Sequence, residues 1–203
     1  MTNKDWTGNA NSIWKTLGAS NHTDKERQNE DYYATNPIAA EWLLKIEEIP
    51  KDKPIWECAA GEKHLSKVFE EYGYKVRSSD LIVRTEDVEQ LDFLTSNETW
   101  DGTIITNPPY NQAVNFIQKA MESITEGNKV IMFLKVQFLE GKSRKKLFEK
   151  YPPKTVWVSS SRITCAKNGD FEYMKANGGS AVAYAFYVWQ KGYKGDTILK
   201  WFN

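Results

Sequence analysis

Two spacings of hydrophobic residues alternate along the chain, and together they predict strands and helices in turn. Short apolar runs, which are typical of buried strands, occur at 103–105, 129–134, 155–158 and 181–189. Two further strands are predicted at 53–58 and 74–79, where apolar and polar residues are mixed. Apolar residues three or four positions apart, which are typical of amphipathic helices, occur before or between these runs at 38–46, 65–72, 114–121 and 142–150. Asn36 followed by Pro37 is a typical helix start, and Pro152–Pro153 ends the last helix. Strands that alternate with helices favour an α/β fold built on a largely parallel sheet.

Residues 1–30 lie outside this pattern. They are polar and carry few apolar residues, among them Trp6 and Trp14, so the start of the chain is expected to be a loosely ordered arm. The alternative is a segment that lies over a ligand and uses the two tryptophans as anchors. Residues 31–203 are enough for one domain with a buried core. Within them, the stretch 159–179 is expected to be an irregular loop.

Composition narrows the class of protein. Hydrophobic residues make up 40% and charged residues 27% of the chain, as in ordinary soluble globular proteins. No apolar run is long enough to span a membrane, and the start Met1–Asp5 is not a secretory signal. Cys58 and Cys165 form no paired-cysteine motif, which favours the reducing cytoplasm, and the two histidines, His22 and His64, suggest no metal site. The formal net charge of zero does not favour non-specific coating of nucleic acid, although it allows a local basic face.

The most specific chemical feature is Thr106-Asn107-Pro108-Pro109-Tyr110, directly after the apolar run at 103–105. The two prolines make the segment rigid and unable to continue a sheet ladder. In the plainer interpretation, Asn-Pro only marks a turn. In the chemical one, the Asn107 side-chain oxygen and the Pro108 carbonyl accept both protons of a planar amino group while Tyr110 stacks on the base. The nitrogen lone pair is then aimed at an electrophile without any general base.

A second feature is a strand–loop–helix–strand unit. The small-residue loop Ala59–Lys63 follows the first strand run, and Asp80 caps the next one, about 20 residues after Gly61. A backbone-lined loop with an acid at this spacing holds an adenosine, with the carboxylate on the ribose hydroxyls. The further glycines of a dinucleotide fingerprint are missing, which argues against NAD. Asp92 is either a surface turn residue or an acceptor for an adenine amino group, with Phe93 packing on the base.

In this order, the features resemble those of the S-adenosylmethionine-dependent N6-adenine DNA methyltransferases, in the gamma-type arrangement of motifs. Leu17–His22 (Leu-Gly-Ala-Ser-Asn-His) followed by Asp31–Thr35 (Asp-Tyr-Tyr-Ala-Thr) is similar to the small adenine-specific methyltransferases of phages and prophages. The resemblance covers essentially the whole chain, including 180–189 and the tail 198–202. It implies a Rossmann-like class I methyltransferase fold, with a seven-stranded, mostly parallel sheet and helices on both faces. It also implies that 31–203 is a single catalytic domain.

The resemblance further implies which residues form the site. The cofactor, S-adenosylmethionine, which leaves as S-adenosylhomocysteine, is expected to contact Tyr33, Thr35, Pro37, Glu57, Ala59, Gly61, Asp80, Asp92 and Phe93. The expected catalytic residues are Asn107, Pro108, Pro109 and Tyr110. Ala59 and Lys63 depart from the family pattern, because many relatives carry glycine there, and this bears on cofactor affinity. The separate target-recognition domain of larger gamma-type enzymes has no counterpart here, and this bears on sequence specificity.

A basic run and a polar loop are the candidate DNA contacts. The run 141–154 is rich in lysine and arginine and contains a single acid, Glu149. It is either a solvated helix face or a surface that binds phosphates without reading sequence. The loop 159–179 is the candidate for contacts to an extruded base, since the target adenine must leave a double-stranded DNA to reach a buried methyl donor. The predicted DNA-binding residues are Lys142, Arg144, Lys145, Lys146, Arg162 and Phe171.

Three hypotheses of function follow. The first is methyl transfer from S-adenosylmethionine to N6 of adenine in DNA, by a monomer or weak dimer that uses no metal and no membrane. The second is methylation of RNA adenine or of a protein glutamine, because the same tetrapeptide can activate any planar amide or amino nitrogen. The third is a non-catalytic relative that binds nucleic acid or S-adenosylmethionine, suggested by Lys63 in the cofactor loop. The basic run 141–154 favours a nucleic acid over a protein substrate.

Overall fold

One mixed sheet organises the part of the chain that the computed structural model describes, which is residues 33–167, 171 and 182–203. Its strands are β2 (Ile55–Glu57), β3 (Val76–Asp80), β4 (Glu89–Gln90), β5 (Thr103–Thr106), β6 (Lys129–Lys135), β7 (Thr155–Ser159), β9 (Tyr184–Gln190) and β10 (Ile198–Phe202). Their order in space is β10-β7-β9-β6-β5-β2-β3-β4. β9 runs antiparallel to both of its neighbours, and every other neighbouring pair is parallel. The prediction of an α/β fold on a mostly parallel sheet is therefore confirmed.

The predicted strand count was wrong, because the described part of this sheet has eight strands instead of seven. At one edge, β10 adds to β7 in parallel, with Ile198 opposite Thr155 and Phe202 opposite Ser159. Phe202 is only 6% exposed and contacts the ring of Phe186 at 5.8 Å. Phe202 is the one buried residue of this strand, whose other four residues are exposed, so backbone pairing with β7 and the Phe202 anchor hold it at the sheet edge.

Four helices cover the two faces of the sheet: α1 (Ile38–Ile46), α2 (His64–Glu71), α3 (Ala113–Ser123) and α4 (Lys142–Lys150). α1 and α2 contribute Leu43 and Phe69 to one buried cluster, and α3 and α4 contribute Ile117 and Leu147 to the other. Successive side chains of β6 alternate between these two clusters. A strand buried on both faces has no polar face, so the central strands appear in the sequence as continuous apolar runs.

The predicted helix limits agree with local chemistry. The Asn36 side-chain oxygen accepts a hydrogen bond from the Ile38 backbone N–H at 3.1 Å, which caps α1. After α2, Gly73 has φ +83°, a left-handed conformation that suits glycine at a helix end. The helix face predicted to include Tyr72 is buried only as far as Phe69, since Tyr72 is 46% exposed.

A second, two-stranded sheet was not predicted. β1 (Tyr33–Thr35) pairs antiparallel with β8 (Cys165–Lys167), so that Thr35 lies opposite Cys165. The prediction that 159–179 is wholly irregular was therefore wrong at 165–167, where the chain gains backbone hydrogen bonds to a segment far away in sequence. The predicted arm 1–30 and most of the rest of that loop lie outside the described residues. No helix within the described ranges is long and apolar enough to cross a membrane.

Candidate functional site

The motif residues meet at one edge of the sheet. β5, β2 and β3 are consecutive neighbours and run parallel, so their carboxyl ends lie side by side. The loop from Ala59 follows β2, Asp80 ends β3, and Asn107 follows β5. Ligands of open α/β sheets bind at this edge. The structure therefore brings the predicted cofactor loop and the predicted catalytic segment together.

Asn107 is held by the two-stranded sheet of β1 and β8. Its side-chain nitrogen donates to the Thr35 hydroxyl at 2.9 Å and contacts the Cys165 sulfur at 3.9 Å. Thr35 and Cys165 are each 4% exposed, and burial raises the pKa of the Cys165 thiol to about 11. A hydrogen bond between largely buried partners fixes the plane of the Asn107 amide, with the nitrogen turned towards Thr35.

Tyr110 opens a short 3₁₀ turn, Tyr110–Gln112, that leads into α3. Its hydroxyl donates to the Tyr184 hydroxyl at 3.0 Å, and the Lys135 ammonium lies 4.3 Å from the centre of its ring. Burial is the largest cause that raises the pKa of Tyr110 far above its usual range, so the phenol stays protonated. The residue can therefore offer an aromatic face but no base, as expected for a plate that stacks on a substrate.

Gly61 and Asp80 are in direct contact. The Gly61 N–H donates to one carboxylate oxygen of Asp80 at 2.8 Å. The other oxygen accepts from the Ile82 N–H at 3.0 Å and lies 3.6 Å from the Arg84 guanidinium. Gly61 has φ +54°, within the left-handed region. The loop and the acid predicted to hold an adenosine, with the carboxylate on the ribose hydroxyls, are thus joined by a direct hydrogen bond.

Glu57 lies just before the loop Ala59–Lys63 and Lys63 lies at its end, and both contact residues of α2. The Glu57 carboxyl is 3% exposed and accepts from the Ser66 N–H at 2.8 Å and from the Ser66 hydroxyl. Burial raises the pKa of Glu57 to about 8. Lys63 adopts φ +64°, the left-handed conformation that a glycine would supply more easily, and its ammonium lies 3.0 Å from Glu70. The side chain of Lys63 is therefore held along α2, and its backbone takes the loop conformation despite the missing glycine.

Asp92 and Phe93 differ in exposure to solvent, although they are neighbours in the chain. The Asp92 side chain is exposed, and one of its oxygens accepts from the Leu94 N–H at 3.0 Å. Phe93 is 2% exposed and packs against Trp56 at 5.2 Å and Phe116 at 5.4 Å between ring centres. These contacts give the Phe93 ring a place in the core, so its contact with adenine remains a prediction. Among the other residues expected near the cofactor, Pro37 and Ala59 are half-buried, and Tyr33 lies in β1.

Sequence reasoning missed three features of this edge. Leu81, Ile82 and Val83 follow Asp80 and are 62%, 50% and 44% exposed, so a strip of aliphatic surface borders the carboxylate. Three apolar residues directly after a strand-capping acid were the signal for this strip. Lys135, at the carboxyl end of β6, and Cys165 gave no signal, because neither belongs to a pattern in the sequence.

The predicted DNA contacts fall into two groups. Lys142, Lys145 and Lys146 are exposed on α4, and Arg144 is half-buried on the same helix. Arg162 is exposed just after β7. Phe171 instead contacts the ring of His64 at 5.5 Å, at the start of α2. Because α2 and α4 cover opposite faces of the sheet, the structure does not bring Phe171 together with the basic helix.

Among the residues that the structure describes, no three histidine, cysteine, aspartate or glutamate side chains converge as they would around a metal ion.

Sequence comparisons give no relatives, because no protein-family model and no curated protein match the chain. Solved structures do match. A modification subunit of a candidate type I restriction enzyme from Vibrio vulnificus has a TM-score of 0.57 at 11% identity, covering 94% of this chain and 50% of that one. A candidate hemolysin from Lactococcus lactis has a TM-score of 0.56 at 12% identity, covering 82% and 91%. A candidate class I S-adenosylmethionine-dependent methyltransferase from Listeria monocytogenes has a TM-score of 0.55 at 14% identity, covering 81% and 62%.

The fold is that of the class I methyltransferases. Identities this low establish the architecture, and one architecture serves many activities. The chain also spans only 50% of the Vibrio subunit and 62% of the Listeria protein. The fold of this chain therefore indicates where a ligand would bind. The reaction must be inferred from the side chains at the sheet edge.

Proposed function

We propose that this chain transfers a methyl group from S-adenosylmethionine to the exocyclic N6 of adenine in DNA. The observation that carries the proposal is the position of Asn107, held at 2.9 Å by Thr35 at the end of β5. Its neighbours on the same edge are the Gly61–Asp80 unit and the ring of Tyr110. The similarity of the fold to S-adenosylmethionine-dependent methyltransferases supports the choice of cofactor.

The chemistry begins with the poor nucleophilicity of an aromatic amino group, whose lone pair is delocalised into the ring. With its nitrogen bonded to Thr35, Asn107 presents its amide oxygen as the acceptor for one N–H, and the Pro108 carbonyl accepts the other. These two hydrogen bonds draw the nitrogen towards tetrahedral geometry, so its lone pair can attack. Tyr110 keeps the base in plane by stacking. Positioning and electrostatic stabilisation supply the rate enhancement, and the arrangement requires no general base with a pKa near neutral.

The residues of the cofactor edge fit S-adenosylmethionine. Asp80 accepts two backbone N–H bonds and an arginine contact, and carboxylate oxygens have further lone pairs for the ribose hydroxyls. The exposed strip Leu81–Val83 offers apolar cover to an adenine ring, and Asp92 is exposed to accept from its amino group. When bound, S-adenosylmethionine supplies an electrophilic methyl group on a sulfonium.

DNA is favoured as the substrate by the exposed lysines of α4. Lys142 and Lys146 make no ion pair within the described residues, and Lys145 lies 3.6 Å from Glu149. Such a surface binds phosphates without reading sequence. The architecture is similar to that of a modification subunit of a candidate type I restriction enzyme, which is consistent with a DNA substrate.

The test is a methyl-transfer assay. The protein is incubated with labelled S-adenosylmethionine and unmethylated duplex DNA, and the product is digested and analysed for N6-methyladenine. Asn107→Ala should abolish the product, whereas Asn115→Ala, an exposed asparagine on α3 that bonds only to Gln112 among the described residues, should leave it unchanged. Label on RNA or on protein glutamine, with none on any DNA, would reject the proposal and favour the second hypothesis.

The same protein, cofactor and substrates also test the third hypothesis, that the chain is a non-catalytic relative. Calorimetry with S-adenosylmethionine should show binding that Asp80→Ala weakens. Binding without label on any of the three substrates would indicate that the fold is retained and turnover is lost.

A further inference from the structure

A cavity of about 130 Å³ lies beside Tyr110. It opens at the carboxyl ends of β5 and β6, which are neighbouring parallel strands, and its walls include Lys135, Gln137, Phe138 and Arg144. Pockets that enclose a whole drug-sized ligand measure about 300–1,000 Å³. This cavity is therefore suited to a single chemical group that is attached to something larger outside.

The charges in the cavity have one sign. Lys135 and Arg144 both line it, and no acid does. Within the described ranges, neither cation has a carboxylate at ion-pair distance. Two half-buried cations in one small cavity repel each other, so an anion between them would remove both the repulsion and the cost of their partial desolvation.

Both cations are held in place by aromatic rings. The Lys135 ammonium lies 4.3 Å from the centre of the Tyr110 ring, and the Arg144 guanidinium lies 5.1 Å from the centre of the Phe138 ring. Arg144 also donates to the backbone carbonyls of Glu140 and Gln137. These hydrogen bonds use part of the five N–H donors of the guanidinium group and fix its plane. The remaining N–H donors therefore keep a fixed direction and can bind an anion.

We propose that this cavity binds a backbone phosphate of the DNA strand that carries the target adenosine. The proposal rests on the proposed function and names how the substrate is recognised. A phosphodiester is a single anionic group with two acceptor oxygens, which suits one lysine and one arginine fork. Arg144 belongs to α4, so the cavity continues into the exposed lysines of that helix, as a DNA backbone requires. A glutamine side chain offers no anion to this cavity, so its charge selects nucleotides.

The experiment replaces single phosphates by neutral methylphosphonates, one linkage at a time, along a short duplex that the protein binds. For wild-type protein, one linkage should weaken DNA binding and raise KM by about tenfold or more, as expected for loss of a charge-assisted hydrogen bond. Lys135→Gln and Arg144→Gln should bind the unmodified duplex about tenfold more weakly and lose sensitivity to that linkage. Lys75→Gln, at an exposed position just before β3 and outside the cavity, should retain wild-type binding and the full sensitivity.

The outcomes separate the two proposals. If both variants keep the wild-type response at every linkage, the phosphate site is rejected even though methylation proceeds. If no DNA is methylated but the linkage-specific loss of binding disappears in Lys135→Gln, the phosphate site stands and the methyl-transfer proposal fails. If the response occurs with RNA oligonucleotides and not with DNA, the assignment to DNA is overturned. Unchanged binding of S-adenosylmethionine by each variant shows that it has folded.

Discussion

Thr35→Val is the most informative single substitution, because it removes one oxygen without changing the size of the side chain. In the structure, that oxygen accepts a hydrogen bond from the Asn107 amide nitrogen at 2.9 Å, and Thr35 is 4% exposed. Loss of a partner for a buried polar group costs about 1–3 kcal/mol. Because the Cys165 sulfur remains at 3.9 Å as a weak acceptor, we expect a destabilisation near the lower end, about 1 kcal/mol.

The effect on catalysis should be larger than the effect on stability. Without Thr35, the amide of Asn107 can rotate, and its oxygen no longer faces the substrate amino group in a fixed direction. If holding that direction is worth about 1.4–2.8 kcal/mol in the transition state, kcat falls by about 10- to 100-fold. The KM for DNA should change little, since Thr35 is buried and bonds to Asn107, whereas the proposed phosphate contacts belong to Lys135 and α4. These values are measured by steady-state methyl transfer and by urea denaturation.

The matched control is Thr106→Val. Thr106 directly precedes Asn107 and is fully buried, but within the described part of the chain its hydroxyl has no hydrogen-bond partner. Replacing an unbonded buried hydroxyl by a methyl group should leave stability unchanged or raise it by about 1 kcal/mol, with kcat close to wild type. If Thr106→Val proves as damaging to kcat as Thr35→Val, the hydrogen bond to Asn107 is not what positions the catalytic amide.

Three further predictions concern other parts of the site. Burial raises the pKa of Glu57 from its ordinary 4.5 to about 8, so its contribution to stability is present below about pH 4.5 and is lost as the pH rises through 8. The glutamine of Glu57→Gln does not titrate. Between pH 5 and 8, the free energy of unfolding of the variant should rise relative to that of wild type by up to about 1.4 kcal/mol per pH unit, as measured by denaturation. Asp80→Ala should weaken S-adenosylmethionine binding by about tenfold or more in calorimetry while DNA binding stays unchanged; equal losses of both would argue for general misfolding. Lys146→Gln should weaken DNA binding equally for all sequences and lower the slope of log affinity against log salt by about one, and an unchanged slope would remove Lys146 from the phosphate surface.

The positions of the strand ends could be predicted from the sequence, because each is set by short-range constraints. The run Thr103–Ile105 must end before Pro108, which cannot donate to a ladder, and β3 ends at Asp80, the acid predicted to cap the strand at 74–79. Alternation of strands and helices predicted a parallel sheet whose strands end at one edge. That Asn107 meets the Gly61–Asp80 unit there was implied by the family resemblance, and the order β5-β2-β3 comes from the structure.

What could not be predicted depends on contacts between distant segments. The pairing of Thr35 with Cys165 joins two short strands whose sequences carry no apolar periodicity, and β propensity in such segments is set mainly by their neighbours in the fold. Phe93 is expected near adenine because of its neighbour Asp92, and that contact stays a prediction; its packing against Trp56 and Phe116 could not be predicted. An aromatic ring next to a polar residue looks the same in a sequence whether it covers a ligand or fills the core.

The two proposals have a common geometric origin in the order of the sheet. Asn107 follows β5 and Lys135 ends β6, and these strands are parallel neighbours, so the acceptor for an amino group and the cation for a phosphate lie at adjacent strand ends. Tyr110 links them, because its ring contacts Lys135 and its position in the chain is fixed by Asn107 three residues earlier. The base and the phosphate of one nucleotide are linked through its sugar, so one nucleotide has a group for each of the two positions. A sheet edge of this kind can therefore bind both the base and the phosphate of a nucleotide. An isolated turn with the same Asn-Pro-Pro-Tyr sequence would bind only a planar amino group.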